Sequence, residues 1–155
     1  MVQQIKKLTM LFFVTTLMLT FASCNKDDEN GNDSGKEIRL QENVEFISVG
    51  SNRYDFLWIQ GQMFTFHYAS EWNRDYTGEI ANVGKVNGLS SINEIPANGW
   101  ATSAPVVKGN GYVVRWTNRY GSCIYYRIYV KDLITDSAGN FLGAVIRYDK
   151  WDLFD

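Results

Sequence analysis

Alternation of apolar and polar side chains in the C-terminal third restricts the fold of this chain more than any other feature. Alternate residues from 124 to 132 are Ile, Tyr, Ile, Val and Asp, and the residues between them are Tyr, Arg, Tyr and Lys. Because successive side chains of a strand point to opposite faces, this pattern predicts a long strand over 122–134 with one buried and one solvated face. Turn residues at 136–140 and an apolar run at 141–148 predict a returning strand.

The region before this pair also reads as short strands separated by turns. Residues 44–49, 54–59 and 63–68 are rich in β-branched and aromatic side chains, and the breaks between them contain glycine. This spacing predicts an N-terminal meander. Residues 82–100 hold three glycines, one proline and only scattered aliphatic side chains, which favours an ordered, turn-rich crossing segment.

A further hairpin is predicted over 104–116, with a glycine-containing connection at 108–111. No stretch shows a sustained 3.6-residue apolar stripe, except for a short one at 70–76. We therefore predict an all-β domain, either a small antiparallel β-barrel or a β-sandwich, with a C-terminal β-meander. Closing or stacking the sheet is how this many strands avoid open edges.

The N-terminus has the order of a lipoprotein signal peptide. Lys6 and Lys7 precede the uncharged stretch 8–22, which is shorter than the roughly 20 apolar residues that cross a bilayer. The stretch ends in Ala-Ser-Cys, so we predict a signal peptide over 1–23 and lipidation of Cys24. Phe21 stands where an aliphatic residue is usual, and an ordinary secretory signal with a coincidental cysteine is the alternative.

Residues 24–36 are nearly all Asn, Asp, Glu, Lys, Gly and Ser, which predicts an acidic flexible tether ahead of a single domain over 37–155. The segment 25–29, Asn-Lys-Asp-Asp-Glu, resembles the short acidic export signal with which Bacteroidetes lipoproteins reach the outer face of the outer membrane. That resemblance implies a lipid-anchored, surface-exposed protein at the outer membrane. A solvated linker is the other interpretation, and both can hold.

Charge and cysteine content exclude several function classes. The whole chain has 15 basic and 17 acidic residues, and the predicted signal peptide removes two bases, so the mature chain is acidic and has no basic stripe. Nucleic acid is therefore not an expected partner. Once Cys24 is lipidated, Cys123 has no disulfide partner, and its apolar surroundings predict a small buried side chain rather than a reactive thiol.

Catalytic and cofactor chemistry has few candidate residues. His67 is the single histidine of the chain, and its alternating strand context favours a structural role. We predict no cofactor and no metal site, and we found no nucleotide-binding or nucleophile motif. Glu71 and Asp75 leave a glycoside hydrolase as the remaining enzymatic alternative, because two carboxylates suffice to hydrolyse a glycosidic bond.

Aromatic side chains next to hydrogen-bonding groups are the strongest lead to a ligand. Sugar rings have apolar C–H faces and polar rims, so a glycan site needs flat aromatic surface beside donors and acceptors. The candidate binding residues are Trp72, Arg74, Tyr76 and Tyr120. Further rings with polar neighbours are Trp100, Trp116 beside Arg115, and Trp151. Since 15% of the chain is aromatic, packing in a small β core is the competing explanation for most of them.

Several segments of the C-terminal half together resemble a family of Bacteroidetes lipoproteins. These segments are 84–92, Pro96, Gly99-Trp100, 109–115, 126–130 and 143–148. The family brings no established activity, so the resemblance implies only fold and location. We expect a non-enzymatic, lipid-anchored binding or accessory domain, with a glycan as the leading ligand. The alternative is a structural or protein-interaction subunit of an outer-membrane complex.

Overall fold

The computed structural model describes residues 35–49, 56–67 and 76–151. These residues form ten β-strands and a single turn of 3-10 helix. Within them, no helix has the length and apolar character needed to cross a membrane. The strands are β1 Lys36–Gln41, β2 Phe46–Ser48, β3 Phe56–Gln60, β4 Met63–His67, β5 Tyr76–Lys85, β6 Trp100–Ala101, β7 Ser103–Pro105, β8 Asn110–Asn118, β9 Cys123–Thr135 and β10 Phe141–Trp151.

The strands form two antiparallel sheets packed face to face. One has six strands in the order β1-β10-β9-β8-β5-β6, and the other has four in the order β2-β3-β4-β7. The chain changes sheet four times, from β1 to β2, from β4 to β5, from β6 to β7 and from β7 to β8. The prediction of an all-β domain is confirmed, and of its two forms the structure is a sandwich, not a closed barrel.

Both predicted meanders are present. Strands β8, β9 and β10 are successive neighbours in the six-stranded sheet, and β2, β3 and β4 are successive neighbours in the four-stranded one. The β9–β10 pairing shifts register twice. The extra residue is Leu142 on β10 at the first shift and Lys131 on β9 at the second. Gly143, next to the first shift, has φ +152, and a Cβ there would lie 2.1 Å from the carbonyl oxygen of Leu40. Strand β1 can therefore approach β10 closely only because this residue is glycine.

The predicted hairpin over 104–116 is wrong, because its two halves belong to different sheets. Strand β7 pairs with β4, whereas β8 pairs with β5 and β9. The glycine-containing connection does turn, with the amide of Asn110 donating to the carbonyl of Val107 at 3.1 Å. The amide of Val106, however, donates to Gln62 at 2.9 Å. This bond keeps the β7 side in the four-stranded sheet.

Strand β5 was not predicted, and it includes the first residues of the predicted crossing segment. Its glycines at 78 and 84 lower the apparent strand propensity, although the strand pairs with β8 along its whole length. The remainder, residues 86–99, is the ordered and turn-rich segment that the sequence predicts, and we call it the strap. It contains the 3-10 turn Leu89–Ser91.

The core lies between the sheets and explains the spacing of the inward residues. Phe64 of the four-stranded sheet meets the ring of Tyr112 at 5.1 Å, and Phe66 meets the ring of Trp116 at 5.8 Å. The Tyr112 hydroxyl donates to the carbonyl of Pro105 at 2.6 Å, and burial raises the pKa of this tyrosine. The fully buried side chains include Leu40, Ile47, Leu57, Ile59, Phe64, Ile80, Tyr112, Val114, Trp116, Ile128, Val130 and Ile146.

Candidate functional site

The outer face of the six-stranded sheet carries rows of aromatic and charged side chains that the strand register aligns. One row, read across β5, β8, β9 and β10, is Glu79, Arg115, Tyr125 and Trp151. The next row, from β6 to β10, is Trp100, Ala81, Val113, Arg127 and Asp149. We call seven of these residues the aromatic–arginine cluster: Glu79, Trp100, Arg115, Tyr125, Arg127, Asp149 and Trp151.

Arg115 lies at the centre of the first row. Its Nε and Nη2 donate to Oε2 of Glu79 at 3.0 and 2.6 Å, and its guanidinium carbon lies 4.2 Å from the centroid of the Trp100 ring. The side chains of Arg115 and Glu79 are 28% and 32% exposed. Burial raises the pKa of Tyr125, the next residue of the row, and the neighbouring Cys123 thiol adds to this effect. The cation Arg115, the anion Glu79 and the rings of Trp100 and Tyr125 therefore share one partly exposed surface.

Arg127 makes a second, more completely bonded group. Its Nε and Nη2 donate to the two carboxylate oxygens of Asp149 at 3.0 and 2.5 Å, which is the bidentate geometry of a strong ion pair. Its Nη1 donates to the carbonyl of Ile92 at 3.1 Å, and its guanidinium lies 5.3 Å from the Trp151 ring. Every nitrogen of this guanidinium has a partner within the protein. Arg127 therefore stabilises the surface and does not act as a donor to a ligand.

The strap covers the part of the outer face next to this group. Leu89 and Ile92 are buried against Val113, and the indole nitrogen of Trp100 donates to the carbonyl of Pro96 at 3.0 Å. A Cβ at Gly111 would lie 2.8 Å from Ile92, so the strap packs closely on the sheet at this point. Trp100, Tyr125 and Trp151 are partly buried against this cluster of Leu89, Ile92 and Val113, so the strap packs beside the rings of both rows.

A third charged group lies at the β1 edge of the same face. The Glu37 carboxylate accepts from Lys131 at 3.0 Å and from Arg147 at 3.1 Å. The hydrogen bond from Lys131, together with the one from Arg147, lowers the pKa of Glu37 below its ordinary value. This group carries one more positive than negative charge.

Of the residues predicted to act, Cys24, Trp72 and Arg74 lie outside the described residues. The backbone of Tyr76 begins β5 opposite Asn118, and Tyr120 lies in the turn between β8 and β9. The register thus brings the positions of Tyr76 and Tyr120 to the same end of the six-stranded sheet. Arg115 is three residues away from Asn118 along β8, so this end adjoins the first row of the cluster.

The β8–β9 turn presents Tyr120 to solvent in a fixed conformation. The Oδ1 of Asn118 accepts from the amides of Tyr120 and Ser122, both at 2.9 Å. Tyr120 is 76% exposed, and the Arg119 guanidinium lies 4.7 Å from its ring and donates to its hydroxyl at 2.6 Å. Aromatic rings of this face are thus repeatedly paired with arginine.

The prediction that Cys123 is buried is wrong, because its side chain is exposed. Cys123 is the first residue of β9 and pairs with Thr117 of β8. Its side chain lies on the outer face, whereas the neighbouring Ile124 packs against the core. Its thiol lies 3.3 Å from the hydroxyl of Thr117 and 3.7 Å from the carbonyl of Gly121. The apolar neighbour misled the prediction, since adjacent strand residues face opposite ways.

The remaining candidates for catalysis or metal binding are His67, Glu71 and Asp75. His67 ends β4 with its ring in edge contact with Trp58 at 5.7 Å, and Glu71 and Asp75 lie outside the described residues. No cluster of three His, Cys, Asp or Glu side chains occurs within 35–49, 56–67 and 76–151. In the same ranges, three carboxyls have a pKa below the ordinary value. They are Glu37, Asp132 and Asp136, held by hydrogen bonds from Lys131, Lys108 and Asn140 respectively.

Sequence reasoning found part of this face and missed the rest. Trp100 and Trp151 were singled out as rings beside polar groups and do lie on it, whereas Trp116 belongs to the core. The polar face of β9 was also recognised, but Arg127 on that face was not linked to a site. Its partner Asp149 is 22 residues away, and pairing over this distance depends on a register that the sequence does not display.

Comparison of the chain with protein-family models, with curated proteins and with solved structures finds no match.

Proposed function

We propose that this chain is a lipid-anchored lipoprotein of the cell envelope whose β-sandwich is a non-enzymatic binding domain for a glycan. The observation that carries the binding part is the first row of the outer face. There, the partly exposed Arg115–Glu79 pair shares a row with Tyr125 and Trp151, and the Trp100 ring of the next row packs against the Arg115 guanidinium. The predicted candidate Tyr120 is exposed at the adjoining end of the sheet, which supports the proposal.

The arrangement fits a glycan because it puts apolar and polar surface side by side. Aromatic rings match the C–H faces of a sugar, and a guanidinium beside a carboxylate supplies both donors and acceptors for its hydroxyls. The bonds within the cluster also fix its side chains before a ligand arrives, which reduces the entropy lost on binding. A rigid, mixed surface of this kind is suited to recognition without chemistry.

Titration calorimetry of the purified full chain with diverse polysaccharides tests this proposal. We expect saturable binding that Arg115→Leu weakens by about tenfold, as for a central contact residue. Arg39→Leu is the matched control, because Arg39 is an exposed arginine of β1 on the same face and outside the cluster. The absence of binding to all polysaccharides, or equal effects of the two variants, would contradict the proposal.

The anchor is proposed from the sequence of residues 1–29 and has its own test. Metabolic labelling with a fatty acid should mark the wild-type protein, and Cys24→Ala should abolish the label. Protease added to intact cells should remove the domain if it faces outward. Labelling that persists in Cys24→Ala would refute the lipidation site, and full protection from protease would refute surface exposure.

The second candidate is a protein-interaction subunit of an outer-membrane complex. It is favoured by β2, a strand at the edge of the four-stranded sheet, where Phe46 is 50% exposed and nearby Val44 is 67% exposed. Exposed apolar side chains at the edge of a sheet are a common site for protein contact. Cross-linking in wild-type membranes should then recover a stoichiometric partner that Phe46→Ser loses, and the absence of any partner would count against it.

A further inference from the structure

The charges of the outer face determine which class of glycan it can accept. Each arginine of the aromatic–arginine cluster is paired with a carboxylate, Arg115 with Glu79 and Arg127 with Asp149. The cluster is therefore close to neutral, although it is rich in guanidinium groups. A site for an anionic sugar would instead leave a guanidinium available as a bidentate partner for the ligand's own carboxylate or sulfate.

The two ion pairs differ in what they leave for a ligand. Arg127 and Asp149 use their guanidinium nitrogens and both carboxylate oxygens in bonds within the protein. In the Arg115–Glu79 pair, Nε and Nη2 both donate to Oε2, so Oε1 and the other N–H groups of the guanidinium are not part of this contact. Tyr125 also forms a side-chain hydrogen bond with Arg115. With roughly a third of each side chain exposed, this pair presents a donor and an acceptor next to each other.

A donor beside an acceptor is complementary to a hydroxyl, which both accepts and donates. A carboxylate or sulfate has acceptors only, and it would be repelled by Glu79 while it gained from Arg115. The ring of Trp100 lies 4.2 Å from the guanidinium, so the arginine covers that ring face and limits stacking there. Hydroxyl recognition by the pair, with Tyr125 and Trp151 in the same row, is then the main interaction.

We propose that the site takes a neutral glycan and binds it through hydroxyls that accept from Arg115 and donate to Glu79. This inference rests on the proposed glycan-binding function and adds the substrate class. It assigns Glu79 the role of a specificity-determining residue, because its carboxylate excludes acidic sugars.

Matched polysaccharides that differ only in charge provide the test. Polygalacturonate and its carboxyl-reduced form share a backbone, and neutral galactomannan and sulfated chondroitin extend the comparison. We expect the full chain to bind neutral polymers at least about tenfold more tightly than acidic ones, with little change as salt rises from about 50 to 500 mM.

Replacement of the carboxylate should reverse this preference. Glu79→Gln keeps the side-chain shape but leaves Arg115 uncompensated, so binding of neutral polymers should weaken by about fivefold and binding of acidic polymers should become measurable and salt-sensitive. Glu45→Gln is the control, because it makes the same charge change at an exposed position after β1, outside the cluster. Thermal unfolding of both variants verifies that they are folded.

The outcomes separate this inference from the function on which it rests. Acidic polymers that bind more tightly than neutral ones would overturn the neutral class and leave glycan binding in place. A similar change of preference in Glu45→Gln would show that net charge, not the Arg115–Glu79 pair, decides specificity, and would overturn the role of Glu79. Failure of every polymer to bind would overturn the proposed function itself.

Discussion

The two outer faces of this sandwich are built from the same alternation but differ sharply in chemistry. The six-stranded face carries several groups of ion-paired side chains, two of them with arginines beside tryptophan rings, and the strap covers part of it. The outward residues of β2, β3, β4 and β7 include no Asp, Glu, Lys or Arg. Ion pairs therefore stabilise the first face, whereas the second presents uncharged side chains such as the half-exposed Phe46.

The difference indicates that side-chain placement on the six-stranded face contributes to stability as well as to recognition. Residues there with several partners should be costly to replace, and exposed residues of the four-stranded face should not.

Arg127→Met should cause the largest loss, because it removes the partner of Asp149 and of the Ile92 carbonyl together. We expect the free energy of unfolding to fall by about 2–3 kcal/mol, since a partly buried carboxylate loses its counterion. Urea denaturation measures the change. Arg39→Met, the same replacement at an exposed position of this face, should have little effect. Equal losses of unfolding free energy in both variants would contradict a stabilising role for the aromatic–arginine cluster.

Gly111→Ala should disturb the strap without altering the core. A Cβ at this position would lie 2.8 Å from Ile92 and 2.9 Å from Val86, so the strap must move outward. We expect a loss of about 1–2 kcal/mol, the usual cost of overpacking. Hydrogen exchange should accelerate at the amide of Ile92, which donates to Leu89 at 2.9 Å, and unchanged exchange there would mean that the strap is not held by this contact.

Glu37→Gln should reveal a small, pH-dependent contribution at the β1 edge. Since the hydrogen bond from Lys131 lowers the pKa of Glu37, its stabilisation is fully present above the ordinary glutamate pKa and is lost as the pH falls through the lowered folded-state value. The carboxylate is well exposed, so the difference from wild type should stay below about 1 kcal/mol. Denaturation at a series of pH values measures it, and a difference that grew on acidification would contradict the assignment.

Phe46→Ser should have the smallest effect on stability. This side chain is half exposed at a sheet edge, so the free energy of unfolding should change by less than about 0.5 kcal/mol. The adjacent Ile47 is buried on the inner face, and Ile47→Ser should cost more than about 2 kcal/mol. Similar costs for the two neighbours would contradict the assignment of β2 side chains to an outer and an inner face.

The fold could be predicted from the sequence where the signal is local. Strand β9 was evident because the side chains of residues 124–132 alternate between two faces. The turn at 136–140 follows from Asp136, whose carboxylate accepts from the amides of Ala138 and Asn140. The prediction of a hairpin over 104–116 was wrong because a glycine turn does not reveal which sheet each flanking segment joins. Strand β5 was missed because its glycines, such as Gly78 packed against Phe66 and Trp116, are required by inter-sheet contact and not by strand propensity.

The candidate site was less predictable than the fold for a physical reason. Trp100 and Trp151 could be selected by residue type, but the bond between Arg115 and Glu79 spans 36 positions along the chain. Such a pair becomes visible only when the register of β5 against β8 is known. Cys123 shows the same limit on a smaller scale, because a shift of one position decides whether a strand residue is buried or exposed.

The most direct test is to follow the indole N–H signals of the tryptophans by NMR while a neutral polysaccharide is added to the full chain. The signals of Trp100 and Trp151 report on the six-stranded face, Trp58 reports on the four-stranded sheet, and single Trp→Phe variants assign them. We predict that Trp100 and Trp151 shift in a saturable manner while Trp58 does not. Shifts confined to Trp58, or none at any tryptophan, would contradict the account.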